Sequence, residues 1–397
     1  MTGSRPMRPL GPPGGVTTGP FVMLLVLIVV MNLIGLLMVL SASSVTALHD
    51  NGSSWYYVKR QAMWVGLGAL VLLGAMRLDL DRVRRLAKPF LLGSIGLLVL
   101  VLVPGVGVTV NGSSRWLGVG ALQFQPSEFA KLALLLFTAG LLTRRADRMD
   151  DTGLTLRPVL FLLSVVALLL LVQPNLGTTI VTAAIVFTML FVAGAPLASL
   201  AGYGVVAVTA AVGLALAADY RRARVMAFLD PWADPGNTGY QVIQSMVGLA
   251  DGGIGGAGLG ASRAKWGFLP YAHTDFIFSI IGEELGLIGT LLVVLLFCAL
   301  GVLGIRTALA AENRFGMLIA VGITAWFMIQ AFVNIGAVIG MLPITGVPLP
   351  FISFGGSSLL VSMGAAGLLL HVARHPRPVG SGRHRSRPAP ARSTGAR

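Results

Sequence analysis

Charge is scarce in this chain. Asp, Glu, Lys and Arg make up 11% of its 397 residues, against 55% hydrophobic ones. A soluble globular domain carries roughly 25% charged residues, which excludes a water-soluble fold. Cysteine is nearly absent, and the single Cys298 lies inside an apolar run. That excludes a disulfide framework and a cysteine-based metal site. Five histidines remain, of which His371, His375 and His384 lie in or near the tail, too few elsewhere for a His-rich metal cluster.

What is abundant is long apolar sequence. Runs near or above the ~18–20 residues that cross hydrocarbon recur at 20–42, 58–76, 88–104, 126–143, 158–173, 178–193, 197–217, 276–304, 314–340 and 355–373. The expected fold is an all-α polytopic membrane protein of about ten transmembrane helices. A large extracytoplasmic loop, 218–275, joins helices seven and eight. SAS at 41–43 resembles a signal-peptide cleavage site, but the run before it is too long and reads as an uncleaved span.

The net charge of +14 points to a membrane rather than to nucleic acid, because Arg flanks the apolar runs and fills the last 24 residues. Most Lys and Arg fall on the side of the two termini, which places both termini in the cytoplasm. Residues 1–19 then form a cytoplasmic segment, 20–373 the transmembrane domain, and 374–397 a basic cytoplasmic tail expected to be disordered.

The segment YAHTDFIFSIIGEELG, 271–286, sets His273 and Asp275 at the mouth of span eight and Glu283 and Glu284 two to three turns deeper. An acid inside a membrane must be paired or wet. Asp275 is placed to act as a general base or to bind a divalent cation. Asp275 or Thr274 is equally placed to N-cap span eight. For Glu283 and Glu284, polar contacts within the bundle are expected.

In QPSEFAKL, 125–132, Glu128 and Lys131 are three apart and share a helix face. They form either an internal ion pair or a cavity wall that meets an anionic head group. QPNLGTT, 173–179, and LPITGVPLPFISFGGSS, 342–358, interrupt apolar runs with Pro and Gly. Such breaks line cavities or are buried in protein, although ordinary hairpin turns read the same way. Lys59, Arg60 and Arg115 are interfacial anchors or phosphate contacts. Gly253, Gly255 and Gly258 spell G-x-G-x-x-G, but no strand precedes them, so close backbone approach or loop mobility replaces a dinucleotide site.

Taken in order, these motifs resemble the SEDS family (shape, elongation, division and sporulation) over residues 20 to 373. The carriers are SASS at 41–44, YYVKRQ at 56–61, NGSSRWL at 111–117, LQFQPSEFAKL at 122–132 and QPNLGTT. They continue with GNTGYQVIQS at 236–245, LPYAHTDFIFSIIGEELG at 269–286 and PLPFISFGGSS at 348–358. Within the family, the division (FtsW-like) branch fits better than the elongation (RodA-like) branch.

The resemblance implies a peptidoglycan glycosyltransferase that polymerises lipid II. It joins the GlcNAc 4-hydroxyl of one lipid-linked disaccharide to the MurNAc anomeric carbon of another. The anomeric configuration inverts and undecaprenyl pyrophosphate leaves. Asp275 maps onto the family's essential acid, and Glu128 with Lys131 onto a paired cavity position. Arg60, Arg115, Lys131, Arg263 and Lys265 are the cations available to the pyrophosphate, and His273 and Ser357 stand in the matched motifs as further substrate contacts.

A divalent cation, Mg or Mn, is admitted at Asp275, and no organic cofactor is implied. One departure is Asn175, where relatives often carry Asp. The implied partners are lipid II, a class B penicillin-binding transpeptidase (FtsI-like), and other division proteins through the tail. The implied place is the bacterial inner (plasma) membrane at the division septum. Competing readings are a lipid II flippase, an elongation-branch polymerase and a recruiting scaffold. Gly282 and Gly286 offer a small-xxx-small packing face on span eight.

Overall fold

The computed structural model describes residues 18–377 except 111, 112, 120, 121 and 218. The expectations for residues 1–17 and for most of the basic tail lie outside the described residues. Backbone polar groups in a bilayer must be satisfied within the segment, and each of the ten apolar runs lies on a helix. These helices are α1 (Thr18–Asn51), α2 (Tyr56–Arg77), α3 (Leu80–Leu100), α4 (Pro126–Arg144), α5 (Arg157–Val172), α6 (Leu176–Val192) and α7 (Leu197–Ala217), followed by α10 (Ile277–Leu309), α11 (Arg314–Val338) and α12 (Gly356–Arg374). Seven are each long and apolar enough to cross a membrane; α2 and α3 form an apolar pair bent by 118°, and α6 is a shorter apolar helix. The chain is an all-α polytopic membrane protein.

Helix starts are set by local chemistry. Asp79 accepts from the N–H of Asp81 at the start of α3, and Asn313 accepts from Gly316 at the start of α11. Asn175 caps α6 through the N–H of Thr178. A neutral amide oxygen serves a cap as well as a carboxylate does, so the departure from Asp keeps this role.

Three features depart from the expected outline. Between α3 and α4 lies a small antiparallel sheet of β1 (Val108–Val110), β2 (Ser113–Val119) and β3 (Leu122–Phe124), with Val108 opposite Trp116 and Leu117 opposite Phe124. The loop 218–275 is partly ordered, holding α8 (Asp219–Leu229) and α9 (Tyr240–Gly252). α9 buries Val242, Ile243, Ser245 and Gly248, and it packs on α10. At the start of the supposed free tail, Arg374 ends α12 and the N–H of Arg377 donates to the carbonyl of Ala310.

The glycine-rich segment after α9 is a strap across a break in α10. The N–H groups of Ala257 and Gly258 donate to the carbonyls of Glu283 and Glu284, and those of Leu287 and Ile288 donate to Gly253 and Ile254. This close backbone approach accounts for the glycines without a nucleotide. Gly286 sits at φ 67°, ψ −161°, and a Cβ there would lie 2.4 Å from the N of Gly256. Gly286→Ala is expected to lower stability by on the order of 1–3 kcal/mol from backbone strain alone, with the clash adding to it. Thermal unfolding of the purified variant measures this, and an unchanged midpoint would contradict the strap. Gly282 faces Leu249 of α9, so both small residues are used inside the chain.

The strap and α1 together explain the two deep acids. Glu283 accepts from the Ser262 hydroxyl at 2.5 Å and from the Arg263 N–H at 2.6 Å, and Glu284 accepts from the Ser41 hydroxyl at 2.6 Å. Both are buried, and carboxylates are tolerated there because donors meet their oxygens.

Candidate active site

Asp275 lies two residues before α10, in a segment whose carbonyls are held from outside. Asn334 of α11 donates its amide to the carbonyls of Asp275 and Val347, each at 2.8 Å. Ser353 donates to the carbonyl of Thr274 at 2.6 Å and accepts from Leu349 N–H. The N–H of Phe354 donates to the carbonyl of His273 at 3.0 Å. Three consecutive carbonyls are thus fixed by α11 and the Pro/Gly-rich loop 342–354. Such fixing is what a site precise to about 0.5 Å requires. The expected capping role is not seen: Phe276 occupies the N-cap with no side-chain bond, and Thr274 donates back to Tyr271.

The half-buried Asp275 opens into a narrow cleft of about 10 Å³, room for about one water, lined with Asn334, Thr345, Gly346 and Val347. Burial pushes its carboxyl up from the ordinary 3.8 to about 6, against the opposing pull of Arg224 and Arg115. Two guanidinium groups therefore bear on one carboxylate. Arg115 on β2 donates to the carbonyls of Gln173 at 2.9 Å and Pro174 at 2.7 Å, so the QPN turn holds it in place. Arg224 on α8 donates to the carbonyl of Ile344 in the loop above the cleft.

Below the cleft lies the QPSEFAKL pair. Lys131 and Glu128 are both buried and meet at 3.0 Å. Lys131 also donates to Gln330 at 3.0 Å and lies 4.4 Å from the centre of the Trp326 ring. Gln330 in turn donates to the carbonyl of Pro348 at 2.8 Å. The ion pair is thereby tied through Gln330 to the loop that frames Asp275. Ser358 donates to Glu128, and the buried Ser357 hydroxyl accepts from Gln125 N–H just before α4.

The remaining sequence candidates lie further out. His273 stacks between Tyr57 and Phe354, with ring centres at 4.5 and 5.6 Å. Burial lowers its pKa to about 4, so the imidazole is neutral at pH 7. Arg60 joins the same aromatic patch by donating to the Tyr56 hydroxyl at 3.2 Å. Arg263 is exposed on the strap, and Lys265 is buried there, donating to the carbonyl of Gly260. Neither borders the cleft.

Arg224, Gln330 and Asn334 were missed by sequence reasoning. The last two left a signal, since two amides four residues apart inside an apolar span share a face and need partners. Arg224 left none, because nothing distinguishes it within YRRAR.

Among the described residues no three His, Cys, Asp or Glu side chains converge as a metal site. Asp275 is the single acidic group lining the cleft. What the arrangement offers is one carboxylate, largely ionised at neutral pH, under the field of two fixed cations. That pairing suits removal of a proton beside a departing anion.

The chain is similar to known proteins over most of its length. The family model of cell cycle proteins of the FtsW/RodA/SpoVE type matches residues 21–378. Stage V sporulation protein E of Bacillus subtilis is 42% identical over 360 residues, covering 91% of this chain and 98% of that protein. A "Probable peptidoglycan glycosyltransferase FtsW" of Thioalkalivibrio sulfidiphilus is 46% identical, covering 86% of each chain. Among solved structures, a chain from "Structural coordination of polymerization and crosslinking by a peptidoglycan synthase complex" superposes with a TM-score of 0.73. It is 34% identical, with 88% of this chain and 96% of that one covered. The rod shape determining protein RodA of Thermus thermophilus gives a TM-score of 0.67 at 29% identity, covering 91% of this chain and 97% of its own.

Proposed function

From the premise that the chain belongs to the FtsW/RodA/SpoVE family of cell cycle proteins and is a peptidoglycan glycosyltransferase, we propose that Asp275 is its general base. The observation that carries this is the Asp275 carboxylate, set in a cleft with its peptide clamped and with Arg115 and Arg224 bearing on it.

The substrate is lipid II. Asp275 takes the proton of the acceptor's 4-hydroxyl as that oxygen attacks the donor's anomeric carbon. The bond to pyrophosphate breaks on the opposite face, so configuration inverts and undecaprenyl pyrophosphate departs with the bonding pair. Arg115 and Arg224 oppose the charge that develops on the leaving phosphate, a role suited to fixed guanidinium groups in a partly dry site. A carboxyl of pKa about 6 is ionised at neutral pH yet basic enough to accept a proton. Were Mg or Mn to bind, Asp275 would be its acidic ligand from this chain, beside substrate phosphate and water. The cation would then supply further charge to the leaving group.

The Asp275 end of the bundle faces the outside of the bacterial inner membrane, and both termini face the cytoplasm. The FtsW relatives support the division branch, and the septum is the place of action in this reading. A class B transpeptidase is the partner in this reading, which the likeness to a chain of a peptidoglycan synthase complex supports. Purified protein given lipid II, with and without such a partner, is expected to yield glycan strands on a denaturing gel. Movement of lipid II across vesicles with no strand formed under either condition would overturn the polymerase reading.

A further inference from the structure

At the end of the bundle far from Asp275, a second cavity lies between α3 and α4. Its lining on α4 begins at Phe137, about 16 Å along the helix from Pro126 at 1.5 Å per residue, and reaches Arg144 at about 27 Å. The cavity holds about 400 Å³, opens to the surface, and is lined by Arg84, Arg85, Lys88, Arg144 and Arg145, over Ala87, Pro89, Phe137, Gly140 and Leu141. We propose that this cavity binds the phosphate head group of an anionic phospholipid, whose acyl chains run outward along α3.

Two observations bear on it independently. The first is charge. Five cations line the cavity, and the one acidic partner among the described residues is Asp81, which meets Arg84 at 3.1 Å. The second is an unmet donor: Nη1 of Arg145 is buried and has no hydrogen-bond partner. A buried charged donor left unpaired is expensive, and a phosphate oxygen would satisfy it. The preference for cations on one side of a membrane explains why Arg is frequent in this region. It does not explain why five cations converge on a cavity, or why one guanidinium nitrogen is buried without an acceptor.

The apolar half of the lining and the setting select a lipid over a soluble anion. Pro89 in the interior of α3 leaves the carbonyl of Arg85 without its helical donor and loosens the helix beside the cavity. Leu86 and Leu92 of α3 are exposed on the protein surface, where acyl chains would continue. Basic pockets between spans, with an apolar wall, match lipid head groups that carry phosphate. Gly140 lies on the wall, where a Cβ would come into ordinary van der Waals contact with Arg84 and Phe315 at 3.6 and 3.8 Å, so a larger side chain there enters the cavity without a backbone clash.

The test uses the full chain, delipidated in detergent and titrated with phosphatidylglycerol, phosphatidylcholine or inorganic phosphate while thermal unfolding is followed. Phosphatidylglycerol alone is expected to raise the unfolding midpoint of the natural protein. The triple variant Lys88→Gln, Arg144→Gln, Arg145→Gln should bind it roughly 10²-fold more weakly. Gly140→Leu, which fills the cavity and keeps every charge, should lose the effect as well, and whichever variant folds carries the comparison. Equal stabilisation by phosphatidylcholine or by phosphate alone would overturn the proposal. So would unchanged phosphatidylglycerol binding in either variant, since generic surface charge would then account for the effect.

Discussion

Asp275→Asn is expected to slow glycan polymerisation by ~10²–10⁴-fold, the contribution of a positioned general base, while the protein stays folded. The stability side separates this role from a structural one. In the folded protein the carboxyl titrates at about 6 rather than 3.8, so ionising it opposes folding. Its favourable contribution is present below pH 3.8 and is lost as pH rises towards 6. An amide never ionises. Asp275→Asn should therefore match or exceed the natural protein's unfolding midpoint at pH 7, and the gain should vanish below about pH 4. A side chain that capped α10 would behave oppositely, since its loss typically destabilises by about 1 kcal/mol. Activity assays and unfolding scans on one preparation distinguish the two.

Lys131→Met is expected to destabilise the bundle by about 3–5 kcal/mol, as removal of one member of a buried ion pair does. Both partners are buried, and Lys131 is further engaged by Gln330 and the Trp326 face. Without it, Glu128 would keep Ser358 as a donor but no cation. The double variant Glu128→Gln, Lys131→Met removes both charges and should regain most of the loss, because a neutral pair carries no desolvation penalty. Polymerisation should stay low in the single variant even at temperatures where it is folded, since Gln330 links the pair to the loop over Asp275. Unfolding midpoints of the two single variants and the double complete the cycle. If Lys131→Met changes stability by no more than ~0.5 kcal/mol, a typical surface effect, water reaches the pair and the link to the loop is void.

Much of the fold was legible because hydrocarbon imposes one solution on long apolar runs. All ten runs lie on helices, and the main length errors, α1 ending at Asn51 and α3 starting at Leu80, arose where a helix continues past its apolar run into polar sequence. The sheet at 108–124 was not read because its strands are short and interrupted by glycine. α8 and α9 were hidden in a loop whose Gly and Pro content masked two short helical stretches.

The site was legible to the extent that its chemistry needs a charge. Asp275, Glu128 and Lys131 stand out as charged groups against apolar surroundings. Spatial neighbours that contribute backbone or amide groups leave weaker traces. The strap that satisfies Glu283 comes from Ser262 and Arg263 across the break in α10, a pairing no spacing rule encodes. For the same reason Arg263 and Lys265, close to Asp275 in sequence, sit on the strap, while Arg224, 51 positions upstream, bears on the carboxylate.

The most direct test of Asp275 as base is the pH dependence of the polymerisation rate at low lipid II concentration. The natural protein should lose activity as pH falls through about 6, because only the ionised carboxylate can accept the proton. Arg224→Gln removes a cation that holds that pKa down, so its acid limb should move to higher pH. A limb at the same pH in Arg224→Gln, or one that persists in the residual activity of Asp275→Asn, would assign the titration to another group.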